Sequence, residues 1–188
     1  MARPKSEDRR NAILAATVEI VAEQGLGAPT AEIASRARVP HGSVFTYFET
    51  KAELLNVLYL ELTSELTNTV IAAMPAGADT RAQLHHLWVR WTDWGASNPS
   101  KRRVQAQLNV SDQVTELNRN AAYEYADPVF ELIQRASASG VLRDAPLRYV
   151  AALVGALATT TMDFMIRNPA EADEFRKSGF EAVWRLLT

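Results

Sequence analysis

The chain has 188 residues, of which 47% are hydrophobic and 22% are charged, a composition typical of a soluble globular protein with one large or two small domains. Its formal net charge of −2 provides no chain-wide basic field for a nucleic acid or a membrane, so any such site must be local. The absence of cysteine excludes disulfides, Fe–S clusters, cysteine-ligated zinc and thiol catalysis, and it favours a cytoplasmic location.

Apolar residues recur at helical spacing along nearly the whole chain, whereas alternating runs that would predict strands are hard to find. We therefore predict an all-α protein. The charged N-terminus has no apolar segment typical of a signal peptide, and no stretch approaches about 18 consecutive apolar residues. We expect neither secretion nor a membrane span.

Nine helices are predicted in chain order. The first ends at Gly25, a residue type that favours helix termination, and the second is expected to be capped by the hydroxyl of Thr30. Pro40 separates the second helix from the third. The predicted helices cover about 6–24, 31–37, 41–48, 51–74, 80–94, 101–110, 116–139 with an interruption near Pro128, 147–167 and 170–187.

The third predicted helix has two distinct faces. Val44 and Phe48 are spaced i, i+4 and are predicted to point inward. A glycine inside a helix costs ~1 kcal/mol relative to alanine, so Gly42 indicates that another surface approaches closely. The predicted outward face is small, polar and aromatic without charge, which suits contacts in a DNA major groove. It consists of Gly42, Ser43, Thr46 and Tyr47.

Four segments of this region together resemble the TetR family of transcriptional regulators. They are Thr30-Ala-Glu-Ile-Ala34, Ala37-Arg-Val39, Gly42-Ser-Val-Phe-Thr-Tyr-Phe48 and Lys51-Ala-Glu-Leu54. Their fixed offsets are more specific than a lone helix-turn-helix pattern. The resemblance implies a helix-turn-helix DNA-binding domain at 1–50, with its motif at about 30–48, followed by a larger helical domain at 51–188 that binds a ligand and dimerises.

The resemblance also implies a function. It implies a homodimer whose two recognition helices bind successive major grooves of a near-palindromic operator in double-stranded DNA. A small-molecule effector, which we expect to be partly apolar, would bind the larger domain and release the DNA. Of the two signs of regulation, the resemblance favours repression over activation.

The family motif assigns DNA contacts to particular residues of this chain. His41, Gly42 and Ser43 fall where the recognition helix reaches base edges, and Phe45, Thr46, Tyr47 and Lys51 fall where it meets the DNA backbone, while Thr30 falls at a phosphate-contacting cap. A phosphate would also favour the Lys51 cation, which otherwise lies near the positive end of a helix dipole.

Three residues depart from the family pattern. Phe45 replaces the usual tyrosine, Arg38 replaces the usual glycine of the turn, and Pro40 replaces a capping serine. Tyr47 and Arg38 are the candidates for a substitute phosphate contact. Arg3 and Lys5 form either an arm that touches DNA or a solvated terminus, and the sequence leaves both interpretations open.

The larger predicted domain contains three tryptophans within seven residues, which indicate either a packed core or a pocket for a flat apolar ligand. The residues that would line such a pocket are Trp88, Trp91, Gln107, Tyr123, Phe130, Met162 and Met165. The last two helices are amphipathic, and the resemblance to the TetR family implies that they form a dimer interface of the four-helix-bundle type. Its candidates are Val150, Leu153, Leu157, Phe180, Val183, Trp184 and Leu187, with an ordinary intrachain core as the alternative.

Two other functional classes are alternatives to a regulator that binds a small ligand. An all-α enzyme has little support, because no Gly-rich phosphate loop, G-x-S-x-G or H-E-x-x-H motif is present. The adjacent His85 and His86 point about 100° apart and cannot act as an i, i+4 metal pair. We therefore predict no catalytic residue, metal or cofactor. The third possibility is the same fold regulated by a protein partner without a small ligand, which a filled core beside the tryptophans would favour.

Overall fold

The computed structural model describes residues 3–188, with side chains from residue 6 onward. Over that range the chain is helical and contains no strand, which confirms the all-α prediction. The helices are α1 (Arg3–Gln24), α2 (Thr30–Arg36), α3 (His41–Tyr47), α4 (Lys51–Ile71), α5 (Thr80–Ser97), α6 (Pro99–Asn109), α7 (Glu116–Ser137), α8 (Leu147–Arg167) and α9 (Ala172–Leu187), with a 3-10 turn at Pro169–Glu171. The side chains of Arg3 and Lys5, predicted to form either an arm that touches DNA or a solvated terminus, lie outside the described residues.

Two predicted features of the helices, an interruption at Pro128 and a cap at Thr30, are absent from the structure for identifiable reasons. Pro128 does not interrupt α7, which is continuous through it. A proline removes one backbone donor and frees the carbonyl four residues earlier. Both Pro128 and Glu124 are exposed, a position at which water can replace the lost hydrogen bond. Thr30 does not cap α2: Pro29 occupies the N-cap position and no side chain caps the helix. The threonine is instead the first helical residue.

The start of α4 is fixed by a capping box that the sequence interpretation overlooked. Thr50 Oγ1 accepts a hydrogen bond from Glu53 N at 3.0 Å, and Glu53 Oε2 accepts one from Glu49 N at 2.6 Å. The T-x-x-E pattern at 50–53 is a signature of a helix N-terminus. It makes Lys51 the first helical residue of α4.

The chain divides into two compact units. The N-terminal unit comprises residues up to Thr63 together with Pro99–Ala122, and the C-terminal unit comprises Ser64–Asn98 and Tyr123–Thr188. This division differs from the predicted boundary after residue 50. Most of α4 up to Thr63, and all of α6, share the core of the N-terminal unit with α1, α2 and α3.

The core of the N-terminal unit holds α3 in place. Val44 and Phe48, predicted to point inward, are each 1% exposed, and burying such a side chain contributes about 1.5–3 kcal/mol. Helix α6 packs on α1, where Arg103 Nη1 donates to the carbonyl oxygen of Ala22 at 3.1 Å. The short α3 is therefore anchored by burial on one face.

The C-terminal unit contains the end of α4, α5, most of α7, α8 and α9. Helices α5, α8 and α9 pack against one another with Trp88 in their core. Gly179 allows this packing, because a Cβ there would lie 2.7 Å from Trp88 Cζ2. Gly140 has a similar role, since its Cβ would lie 2.6 Å from the backbone carbon of Leu187. Distances this short are incompatible with any side chain larger than hydrogen.

Candidate functional site

The turn between α2 and α3 places an arginine in an unusual backbone conformation. Arg38 has φ 57°, in the left-handed region that costs an ordinary residue about 1–2 kcal/mol. The turn is closed by hydrogen bonds from Arg38 N to Ser35 O at 3.1 Å and from Val39 N to Ala34 O at 3.0 Å. The side chain of Arg38 is exposed at this turn.

The exposed face of α3 differs from the predicted one. His41, Gly42, Phe45 and Thr46 are exposed, whereas Ser43 and Tyr47 are half-buried. At about 100° per residue, Gly42 and Thr46 lie opposite the buried Val44, while Ser43 and Tyr47 lie beside it. Tyr47 packs against the core of the N-terminal unit. Each exposed residue thus lies one position closer to the helix N-terminus than its counterpart on the predicted outward face.

Gly42 has no structural reason within the chain to be glycine. Among the described residues, and apart from the backbone of α3 itself, no atom lies within 4 Å of the position that a Cβ would occupy. The φ of Gly42 is not in the left-handed range. The residue therefore leaves open space on the exposed face of α3.

Thr30 and α3 are joined by a small array of side chains. Thr30 Oγ1 lies 3.0 Å from His41 Nε2, a hydrogen bond that ties the first residue of α2 to the first residue of α3. The His41 ring then meets the Phe45 ring in a T-shaped contact, with centroids 5.4 Å apart and planes at 73°. This array explains why Thr30 serves no helix cap: its hydroxyl points to His41.

Four cations on α1, on α2, in the turn after α2 and on α4 fall into two groups. Arg36 Nη1 bonds Glu19 at 2.6 Å and Arg36 Nη2 bonds Glu23 at 3.3 Å; the hydrogen bond to Glu19, with that to Glu23, raises the pKa of Arg36. Arg10 similarly pairs with Glu61 at 3.0 Å. These two cations are neutralised by their own unit.

Arg38 and Lys51 form the second group, since neither has an ion pair among the residues that the structure describes. Burial lowers the pKa of Lys51, because its ammonium group loses part of its hydration at the start of α4. An anion beside Lys51 would offset this loss.

Asn56 is a buried polar residue that no sequence pattern indicated. It is 6% exposed and its amide nitrogen donates to Ala52 O and Gln113 O, both at 2.7 Å. Its oxygen accepts from Thr115 N at 2.9 Å and from Asn118 Nδ2 at 2.8 Å. Every hydrogen-bonding capacity of this amide is used, and it fastens α4 to the segment between α6 and α7.

The predicted pocket residues are divided between the two units. Gln107 belongs to the N-terminal unit, whereas the other six belong to the C-terminal unit. Trp88 is 1% exposed and donates its Nε1 hydrogen to Arg176 O at 2.9 Å, so it is a packed residue. Met162 and Met165 are also buried, while Trp91, Tyr123 and Phe130 are half-buried.

Two clefts are described in the C-terminal unit, and neither contains a predicted pocket residue. The first, of about 360 Å³, is open and lies between the start of α5 and α9; it is lined by Asp79, Arg81, Ala82, His85, Phe180 and Glu181. The second, of about 380 Å³, lies between α7 and the start of α8; it is lined by Gln134, Ser137, Ala138, Arg143, Ala145, Leu147 and Val150.

The predicted dimer residues need correction. Val150, Phe180, Val183 and Leu187 are at most 4% exposed within a single chain and therefore offer a partner no surface. Their periodicity reflects the intrachain core, the alternative that the sequence left open. Leu153, Leu157 and Trp184 are half-buried.

A different face of α8 is exposed and apolar. Tyr149 is 55% exposed and Phe164 is 44% exposed, and the small residues Ala152 and Ala156 lie exposed between them. By length and composition alone α8 could cross a membrane, although 33% of its apolar window is buried. It packs against α5 and α9, and Phe164 contacts Phe175 of α9, with ring centroids 5.3 Å apart. Tyr149, Ala152 and Ala156 form the exposed part of this stripe.

Comparison with known proteins points to the same region of the chain. Residues 13–58 match the family model of bacterial regulatory proteins of the tetR family, a range that includes every predicted DNA-contacting residue. An HTH-type transcriptional repressor of Mycobacterium tuberculosis is 36% identical over 81 residues, as is an HTH-type transcriptional regulator of Mycobacterium bovis. Each match covers 43% of this chain and 43% of the relative, so it spans less than half of either protein.

Solved structures share the fold along nearly the whole chain. A tetR family transcription regulator from Shewanella is 24% identical, with a TM-score of 0.83 over 94% of this chain and 96% of that chain. One from Marinobacter aquaeolei is 19% identical, with a TM-score of 0.81 over 98% of both chains. The regulator LfrR from Mycobacterium smegmatis, solved in complex with proflavine, is 16% identical, with a TM-score of 0.69 over 94% of this chain and 95% of that chain.

Proposed function

The chain belongs to the TetR family of bacterial regulatory proteins, and on this premise we propose that it binds operator DNA through α2, the following turn and α3. The observation that carries the proposal is the exposed, uncharged face of α3, with Arg38 before it and Lys51 after it. Uncharged side chains suit base edges and flanking cations suit phosphates. Regulators of this family are not enzymes, in agreement with the absence of catalytic motifs.

We propose that the protein is a cytoplasmic repressor that acts as a homodimer on a near-palindromic operator. A two-fold dimer presents two identical recognition helices, which fit half-sites about 34–36 Å apart. The similarity to a mycobacterial protein described as a repressor supports repression as the sign of regulation.

The exposed stripe of α8 supports the dimer. Apolar side chains that remain exposed in a single chain, such as Tyr149 and Phe164, favour association. Small residues such as Ala152 and Ala156 let two helices approach closely. The proposed interface is therefore Tyr149, Ala152, Leu153, Ala156 and Phe164, with Leu157 at its edge.

Control of DNA binding has two candidate forms. A small, partly apolar effector that releases the DNA is supported by the shared fold with LfrR, which was solved with proflavine. Control by a protein partner without a small ligand is supported by the filled core at Trp88, where Gly179 and Arg176 leave no room for a ligand. Dye-displacement screening of the purified dimer separates the two forms.

The proposal is tested by selecting genomic DNA fragments with the purified protein and sequencing those enriched. We expect a short inverted repeat that binds one dimer. Enrichment of no fragment by a folded dimer, in the absence of any co-purified ligand by mass spectrometry, would overturn the proposal.

A further inference from the structure

Phe45 is an aromatic side chain left on the exposed face of α3. It is 43% exposed, on a seven-residue helix that contains no Asp, Glu, Lys or Arg. Removing a phenyl ring from water is favourable. Because Phe45 lies exposed on the surface proposed to face DNA, we expect its ring to be buried only in the complex with the operator.

The chemistry of the ring restricts what it can contact. A phenyl group has no hydrogen-bond donor or acceptor, so it gains nothing from a phosphate or from the polar edge of a base. The apolar group that the major groove displays is the 5-methyl group of thymine. Gly42, three residues before Phe45 on the same face, has open space at its Cβ position, which lets a base edge come close to the helix.

Two neighbours position the ring before DNA arrives. His41, one helical turn earlier, packs against Phe45 in the T-shaped contact at 5.4 Å, and Thr30 holds the His41 ring by a hydrogen bond of 3.0 Å. Side chains held in one orientation lose less conformational entropy on binding.

We propose that Phe45 recognises the methyl group of one thymine in each half of the operator, with His41 and Thr30 as positioning residues. The inference rests on the proposed function and deepens it, because it makes Phe45 a determinant of sequence rather than a contact to the DNA backbone.

The test replaces single thymines of the selected operator by deoxyuridine, which lacks only the methyl group. Each thymine is replaced together with its symmetry mate, and the dissociation constant is measured for the wild-type protein, Phe45→Ala, Phe45→Leu and Tyr125→Ala. Tyr125 is the matched control, since it is an aromatic residue exposed to 52% on α7, outside the DNA-binding elements.

For the wild-type protein we expect one symmetric position at which deoxyuridine weakens binding about fourfold per half-site, the equivalent of burying one methyl group, about 0.8 kcal/mol. Phe45→Ala should bind the thymine and deoxyuridine operators with equal affinity. Phe45→Leu should keep part of the affinity difference between the two operators, and Tyr125→Ala should show the same difference as the wild type. His41→Ala should reduce the difference, because the ring loses its support.

Two results would overturn the inference while leaving the proposed function intact. One is specific operator binding that no deoxyuridine substitution weakens. The other is a methyl effect of the same size in Phe45→Ala, which would assign the methyl contact elsewhere and leave the ring against the sugar-phosphate backbone. A protein that binds no operator would overturn both proposals.

Discussion

Arg38 combines two roles that oppose each other at the level of a single residue. Its backbone has φ 57°, a conformation in which glycine is favoured, and its side chain is an exposed cation beside the proposed recognition helix. Strain of this kind persists where the residue type serves a function. The departure from the usual glycine of the turn is therefore consistent with a phosphate contact.

Replacing Arg38 separates strain from charge. We expect Arg38→Gly to raise the free energy of unfolding by about 0.5–1 kcal/mol, since relief of left-handed strain exceeds the entropic cost of glycine. Arg38→Ala, which keeps the strain, should match the wild type in urea denaturation. Both variants should bind the operator more weakly, because both lose the cation. Equal stability of the glycine and alanine variants would contradict this account.

We expect Lys51 to increase operator affinity through electrostatic attraction to a phosphate, independently of the DNA sequence. Loss of one phosphate contact per half-site should reduce the slope of log K against log salt by about 2 for the dimer. We expect this for Lys51→Ala by fluorescence anisotropy at several salt concentrations, and no change for Lys177→Ala, an exposed lysine of α9. An unchanged slope in Lys51→Ala would exclude the phosphate contact.

Lys51 should also make operator binding depend on pH. Burial lowers the pKa of Lys51 in the free protein, and only the protonated amine attracts a phosphate. Operator affinity should therefore fall as pH rises through that lowered pKa, at a lower pH than for an ordinary lysine. Lys51→Arg, whose guanidinium stays charged, should remove this fall.

At the scale of helices, two glycines show that the same residue type serves opposite purposes. Gly179 lies where a Cβ would meet Trp88 Cζ2 at 2.7 Å, whereas the Cβ position of Gly42 faces open space. The first glycine allows helices of the C-terminal unit to pack. The second has no packing role, so its reason must be sought in an external surface.

Alanine at each of these glycines should have opposite effects on stability. Gly179→Ala should lower the free energy of unfolding by about 1–3 kcal/mol through overpacking. Gly42→Ala should raise it by about 0.5–1 kcal/mol through helix propensity, while weakening operator binding. Urea denaturation and DNA titration of both variants measure this, and equal stability of the two would contradict the packing argument.

The whole molecule is expected to act only as a dimer. Ala156→Glu places a carboxylate on the exposed stripe of α8 without touching the intrachain core. We expect analytical ultracentrifugation to show a folded monomer. Its operator affinity should be reduced more than about tenfold, because a single DNA-binding domain binds without the second one of the dimer. Ala170→Glu, also exposed but in the 3-10 turn, should remain a dimer. A dimeric Ala156→Glu would move the interface elsewhere.

Much of the architecture follows from the sequence, because local signals specify local structure. Apolar periodicity predicted nine helices, Gly25 and Pro40 marked breaks, and the family motif located α2 and α3. The observed helix ends lie a few residues from the predicted ones where a contact to another element replaces a predicted cap. Thr30 is an example, because its hydroxyl bonds His41. The capping box at 50–53 was readable in the sequence but was overlooked.

Only the tertiary structure decided which side of an apolar helix is buried. Val150, Phe180, Val183 and Leu187 share the periodicity expected of a dimer interface, yet they fill the intrachain core, and the free stripe of α8 includes Tyr149. Periodicity reports that a face is apolar, but not which neighbour covers it. The buried Asn56 likewise depends on partners distant in sequence, Gln113, Thr115 and Asn118, which no local pattern encodes.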